Sequence, residues 1–169
     1  MTDARFEDLD YAGDPVRLAV ETPEDVPIAA SLLQDAVAVT GEISWMPKRR
    51  RLALLLNRFR WEDRDAAEAD GRPFERVRAA LVIDSAQAVQ ARGVDPKDKD
   101  QIISVLSMSF EPASDQEGDV SGTVILTLAG DGEIAARVEC LDIRIMDMSQ
   151  PWAAPSGRAP DHALGTDDS

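Results

Sequence analysis

The chain has 169 residues, 44% of them hydrophobic and 30% charged, with a net charge of -14 and a single cysteine, Cys140. That length suits one domain with a sizeable core. The acidic balance argues against non-specific binding to nucleic acid or an anionic membrane, and one cysteine excludes an internal disulfide and fits a reducing cytoplasm.

Residues 1–15 are polar and acidic and end in Gly13-Asp14-Pro15, which reads as a flexible arm; Met1 to Asp8 lacks the apolar core of a signal peptide. Val16 to Val20 alternates as a short strand. Thr22-Pro23-Glu24-Asp25 is a helix start: Thr22 can cap, Pro23 suits the first position, and the two acids complement the positive end of the helix dipole. Val26, Ala29, Ala30, Leu33 and Val37 then share a helical face, which predicts a helix ending near Ala38.

From Gly41 the period changes to two. Ile43 and Trp45 point one way, Met46 to Arg50 forms a turn, and Arg51 to Phe59 returns as a strand with Leu52, Leu54 and Leu56 on one face and Leu55 on the other. Glu62 to Asp70 suits a short exposed helix stopped by Gly71 and Pro73. Val77, Ala79, Leu81 and Ile83 alternate as a strand, Asp84-Ser85 turns, and Ala86 to Val94 is a weaker strand. Ile102 to Phe110 is expected to put Ile102, Leu106, Met108 and Phe110 on one face. After the acidic loop from Pro112 to Gly122, Thr123 to Leu128 and Glu133 to Cys140 flank the tight turn Gly130-Asp131-Gly132. The apolar phase then slips by one, to Leu141, Ile143 and Ile145, which marks a bulge or a new element. From Gln150 the prolines and glycines exclude regular structure, so residues 150–169 are expected as an extended or disordered tail.

About eight strands, one main helix and one short helix, without a strand–helix–strand rhythm, predict a single α+β domain over residues 16–149. It is mostly antiparallel and curled, with a PH-like partial barrel as one form.

Ten of the eighteen basic residues fall between Lys48 and Arg78, where six acids leave a net charge of +4 against -18 for the rest. Arg49, Arg51, Arg58 and Arg60, with Trp45 and Trp61, are therefore the candidate anion or partner-binding residues. Arginine forks suit phosphate and carboxylate groups. The alternative for the same residues is a charged hairpin that balances the acidic surface and blocks edge-to-edge pairing.

Other motifs carry less. Gly130-Asp131-Gly132-Glu133-Ile134-Ala135 matches a dinucleotide fingerprint, but strands flank it and no helix opens there to hold a phosphate. Asp95, Asp98 and Asp100 do not follow calcium-loop spacing, because Lys97 and Lys99 occupy ligand positions. His162 is the sole histidine and lies in the tail, and Glu139 and Asp142 beside Cys140 disfavour a thiolate, so no catalytic, cofactor or metal site is expected. In the tail, Trp152, Arg158, Asp161 and His162 are candidates for docking on a partner or on the domain itself.

The run Arg50 to Glu62 and the segment Ala154 to His162, with Leu32–Val37, Lys97–Phe110 and Leu126–Asp147, resemble the bacterial family catalogued as domain of unknown function 2948, over about residues 16–162. The resemblance implies a bacterial, cytoplasmic protein and assigns no activity and no site residue.

The leading functional expectation is a non-catalytic binding or adaptor module that recognises a protein partner through residues 41–61, with the tail as a second contact. The alternative is an enzyme or binding module for an anionic small molecule clamped by the hairpin arginines. Nucleic acid and membrane are not expected as partners.

Overall fold

Leu52, Leu54 and Leu56 point to one side of a nine-residue strand and are at most 1% exposed. Across from them Ala79, Leu81 and Ile83 repeat the same alternation, equally sealed. Such paired period-two patterns build most of this molecule. The computed structural model describes residues 15–154; the arm before Pro15, and Arg158, Asp161 and His162, lie outside the described residues.

The strands are β1 (Arg17–Val20), β2 (Ala36–Val39), β3 (Ile43–Met46), β4 (Arg51–Phe59), β5 (Glu75–Ile83), β6 (Ala86–Arg92), β7 (Ile102–Pro112), β8 (Gly122–Leu128), β9 (Gly132–Val138), β10 (Ile143–Asp147) and β11 (Trp152–Ala153). Two helices, α1 (Val26–Leu33) and α2 (Arg64–Asp70), complete an α+β domain. The sheet runs β1-β10-β5-β4-β2-β7-β8-β9-β6, with β3 added to β4 and β11 to β5, and every pairing is antiparallel. The path keeps two ends, β1 and β6, so the sheet curls without closing into a barrel. Its inner face and α1 share one apolar core, which takes Val20 and Ile145 from one end and Val138 and Ala86 from the other.

Several boundaries differ from the sequence expectation, each for a local reason. The helix ends at Leu33, not Ala38, because Asp35 takes a left-handed backbone (φ 66°) and its N–H bonds to the Val105 carbonyl at 2.8 Å. Asp is one of the few residues other than glycine that tolerates this conformation. Val37 therefore sits in β2, paired with Asn57 and Ser104, rather than on a helical face. On β7 the register shifts between Val105 and Ser107, so the buried residues are Ile103, Val105 and Met108, while Ile102 is 66% exposed and Leu106 39%. The phase slip after Cys140 marks a new element: β9 ends at Val138, and β10 crosses to the other end of the sheet to pair with β1 and β5.

The glycine-rich turn is a hairpin of three residues, Ala129 to Asp131, between the paired Leu128 and Gly132, with Gly130 and Asp131 both at positive φ (79° and 67°). Residues 152 and 153, within the segment expected to be irregular, pair with Arg76 and Glu75 as β11, and the Ala154 N–H bonds to the Phe74 carbonyl. Phe59 lies on the other face of β4 from the leucines. It is sealed by edge contacts with Trp61 and Phe74, at centroid distances of 4.6 and 5.9 Å.

Candidate functional site

The basic hairpin divides into two parts with different fates. At its tip a single 3-10 turn, Pro47–Arg49, ends on Arg50 in a left-handed conformation (φ 53°). Arg50 Nη1 donates to Glu139 at 2.8 Å and Arg51 Nε to Asp84 at 2.7 Å, and Arg144 reaches the same Asp84 at 3.0 Å. Burial raises the pKa of Asp84, but the hydrogen bonds from Arg51 and Arg144 outweigh it and hold the carboxyl below its usual range. Lys48 and Arg49 are exposed, and neither has a carboxylate within ion-pair distance among the described residues.

At the other end of β4 the arginines turn inward. Arg58 is fully buried. Its Nε and Nη2 donate to Asp147 at 3.0 Å each, its Nη1 and Nη2 to Glu62 at 2.9 and 2.7 Å, and Nη1 also to the Phe59 carbonyl at 3.1 Å. Those five bonds use all five donors of a guanidinium. Burial alone would lower the Arg58 pKa; the hydrogen bonds it donates to Glu62 and Asp147 reverse the sign and raise it. Arg60 is 2% exposed and pairs with Glu75, with Asp63 at 3.5 Å and Glu62 at 3.6 Å. Arg72 then grips Asp63 at 2.9 Å. Arg72 also reaches Asp70 at 3.3 Å, so these three arginines meet five carboxylates and their charges are neutralised within the fold.

Arg58 and Arg60, read from the sequence as candidate anion or partner-binding residues, are both buried and face the protein's own acids. Arg51 is committed to Asp84. Trp61 is also engaged, its indole N–H donating to the Gln34 carbonyl at 2.9 Å. Of the hairpin candidates, Arg49 is exposed and Trp45 half-buried. Trp152 is 39% exposed on β11, where it faces Arg76 of the domain's own β5. The partners Asp147, Glu62, Asp63 and Glu75 were not singled out in the sequence. The signal for one was there: Asp147 is in phase with Ile143 and Ile145, and a carboxylate at a core position calls for a buried cation.

Trp45 opens onto a cleft. Among the described residues β3 pairs only with β4, and β6 only with β9. These two edges face one another across a cavity of about 290 Å³ whose walls include Ile43, Trp45, Leu52, Val89, Ala91 and Ile134. Leu52 and Ile134, 1% and 3% exposed, form a floor continuous with the core. One end is closed where the Ala86 N–H bonds to the Arg50 carbonyl at 3.0 Å. The other is bounded by the loop carrying Lys99, pinned by the Gly41 N–H to the Lys99 carbonyl at 2.8 Å. Gly41 is required there, since a Cβ would lie 2.9 Å from that carbonyl oxygen. The arrangement offers apolar surface between two unpaired strand edges, a place where an extended segment can both bury side chains and complete backbone hydrogen bonds.

Elsewhere the loop carboxylates of Asp95 and Asp98 accept the backbone N–H groups of Lys97 and Asp100, at 2.9 and 3.0 Å. No helix among the described residues is long and apolar enough to cross a membrane. A family model described as protein of unknown function (DUF2948) matches residues 16–162. No curated protein and no solved structure matches the chain.

Proposed function

The chain belongs to the DUF2948 family, and from that premise we propose that it is a cytoplasmic, non-catalytic binding module that takes an extended segment of a protein partner into the cleft between β3 and β6. The observation that carries this reading is the pair of facing strand edges over an apolar floor. A strand laid along either edge gains main-chain hydrogen bonds, and alternate side chains enter the cavity beside Trp45 and Val89. Lys48 and Arg49 stand exposed at the hairpin tip, and Lys99 lines the cleft. They favour a segment that follows its apolar residues with acidic ones.

Selection of a displayed peptide library against the full chain, followed by amide hydrogen exchange, tests this. The expected peptides alternate apolar residues, carry acidic flanks, protect the amides of residues 43–46 and 86–92, and lose binding in Trp45→Ala. Protection confined to other segments, or binding indifferent to Trp45→Ala, would overturn it.

A further inference from the structure

A second cavity, of about 390 Å³, shares no lining residue with the first. It lies where the end of β7 and its loop to β8 meet the turn before α1 and the connection from β9 to β10. Phe110, Val120 and Leu141 supply its apolar surface, and Glu21, Asp115 and Asp119 its charge. Among the described residues no lysine or arginine lines it.

Three features of this place point to a ligand class. Its size is within the range of small-molecule sites. The Phe110 ring is seated on Gly122, where a Cβ would fall 2.6 Å from the ring, so the backbone gives way to the aromatic and fixes its position. The loop wall is also fixed: Asp119 accepts the Ser121 N–H and hydroxyl at 3.1 and 2.7 Å and the Ser114 hydroxyl at 2.7 Å. Carboxylates are common on a chain of charge -14. Elsewhere many are matched by arginines, as Asp84, Glu62, Asp63, Glu75 and Asp147 are. Glu21 and Asp115 have no ion-pair partner among the described residues and stand at the rim of apolar surface. An aromatic face and unmatched carboxylates both attract positive charge.

We infer that this cavity binds a small amphiphilic organic cation, an amine or quaternary ammonium whose apolar body packs on Phe110 and Leu141 and whose charge faces Glu21 and Asp115. The site is independent of the cleft between β3 and β6 and of the function proposed for it.

The test is an NMR titration of the full chain with benzyltrimethylammonium, with benzyl alcohol as the uncharged comparison. The expected result is saturable shifts at Phe110, Val120 and Leu141. Half-saturation should rise about fivefold in Asp115→Asn and in Glu21→Gln, the size of one exposed charge contact. Both side chains are exposed, so the variants keep the fold. A second readout needs no mutation: Cys140, the only cysteine, lines the cavity, and its alkylation by iodoacetamide should slow at saturating cation. Shifts that spread over other acidic segments without saturating, an equal response to benzyl alcohol, or unchanged affinity in both variants would overturn the proposal.

Discussion

Arg58 holds Asp147 through two parallel hydrogen bonds of 3.0 Å each, between residues 89 positions apart. The same carboxylate accepts the Val16 N–H at 2.8 Å, so one acid ties β4 and β10 to the start of β1. Both residues occupy inward positions of their strands, in phase with Leu56 and Ile145. A polar joint thus terminates the apolar face at a place where the chain gathers three strands from distant parts of the sequence. Removing both charges from water is expensive, and the joint holds because every guanidinium donor finds an acceptor.

Replacing one partner alone exposes that cost. Arg58→Met leaves Asp147, only 3% exposed, without its cation. The expected loss is about 3–5 kcal/mol of unfolding free energy, measured by urea denaturation. Adding Asp147→Leu should return part of it, because no uncompensated buried charge remains. A loss under about 1 kcal/mol in the single variant would mean that the joint is solvated.

The same network sets an acid limb. Burial raises the pKa of Glu62, but its hydrogen bonds from Arg58 outweigh that and leave it below its ordinary value of 4.5. A carboxyl depressed by folding contributes stability that is present above its unfolded pKa and lost as pH falls through the folded one. Asp84 behaves in the same sense against its ordinary value of 3.8. Stability should therefore hold near neutrality and decline from roughly pH 4.5 downward. Glu62→Gln should start lower at neutral pH and fall less steeply in acid. Parallel acid limbs in the two proteins would count against the assignment.

The periodic parts of this fold were legible in the sequence: the leucines of β4, the alternation of β5, the glycine turn between β8 and β9, and the phase slip that separates β9 from β10. The rest was hidden for physical reasons. Asp35 stops α1 by adopting a conformation that sequence readers assign to glycine. Leu106 looked like core because a bulge of one residue reverses every side chain after it. Arg58 and Arg60 read as candidate binding residues because local spacing does not disclose that Asp147 lies across the sheet. The cleft was invisible for the same cause: Trp45 and Val89 face each other only once the whole sheet has curled.

A close approach in the β7–β8 hairpin gives a prediction free of charge effects. Gly122 has no room for a side chain, since a Cβ would collide with the Phe110 ring and the Glu111 carbonyl. Gly122→Ala should destabilise by about 1–3 kcal/mol, the usual range for overpacking. For a chain of this size that lowers Tm by roughly 2–4 °C per kcal/mol. Calorimetry showing an unchanged Tm would place the ring elsewhere.

The hairpin tip and the cleft should separate in kinetics. Lys48 and Arg49 are exposed and make no ion pair among the described residues, so Lys48→Glu and Arg49→Glu should leave stability within about 0.5 kcal/mol of the parent. If they steer an acidic partner segment, the same changes slow its association and weaken its salt dependence, with little effect on dissociation. Val89→Asp acts differently, because it sets a carboxylate among the apolar residues of the cleft. Dissociation should accelerate at least about tenfold while the association rate stays nearly constant. Surface plasmon resonance with a selected peptide distinguishes the two. Tip variants that change only dissociation, or a Val89→Asp protein that binds like the parent, would move the interface away from the edges of β3 and β6.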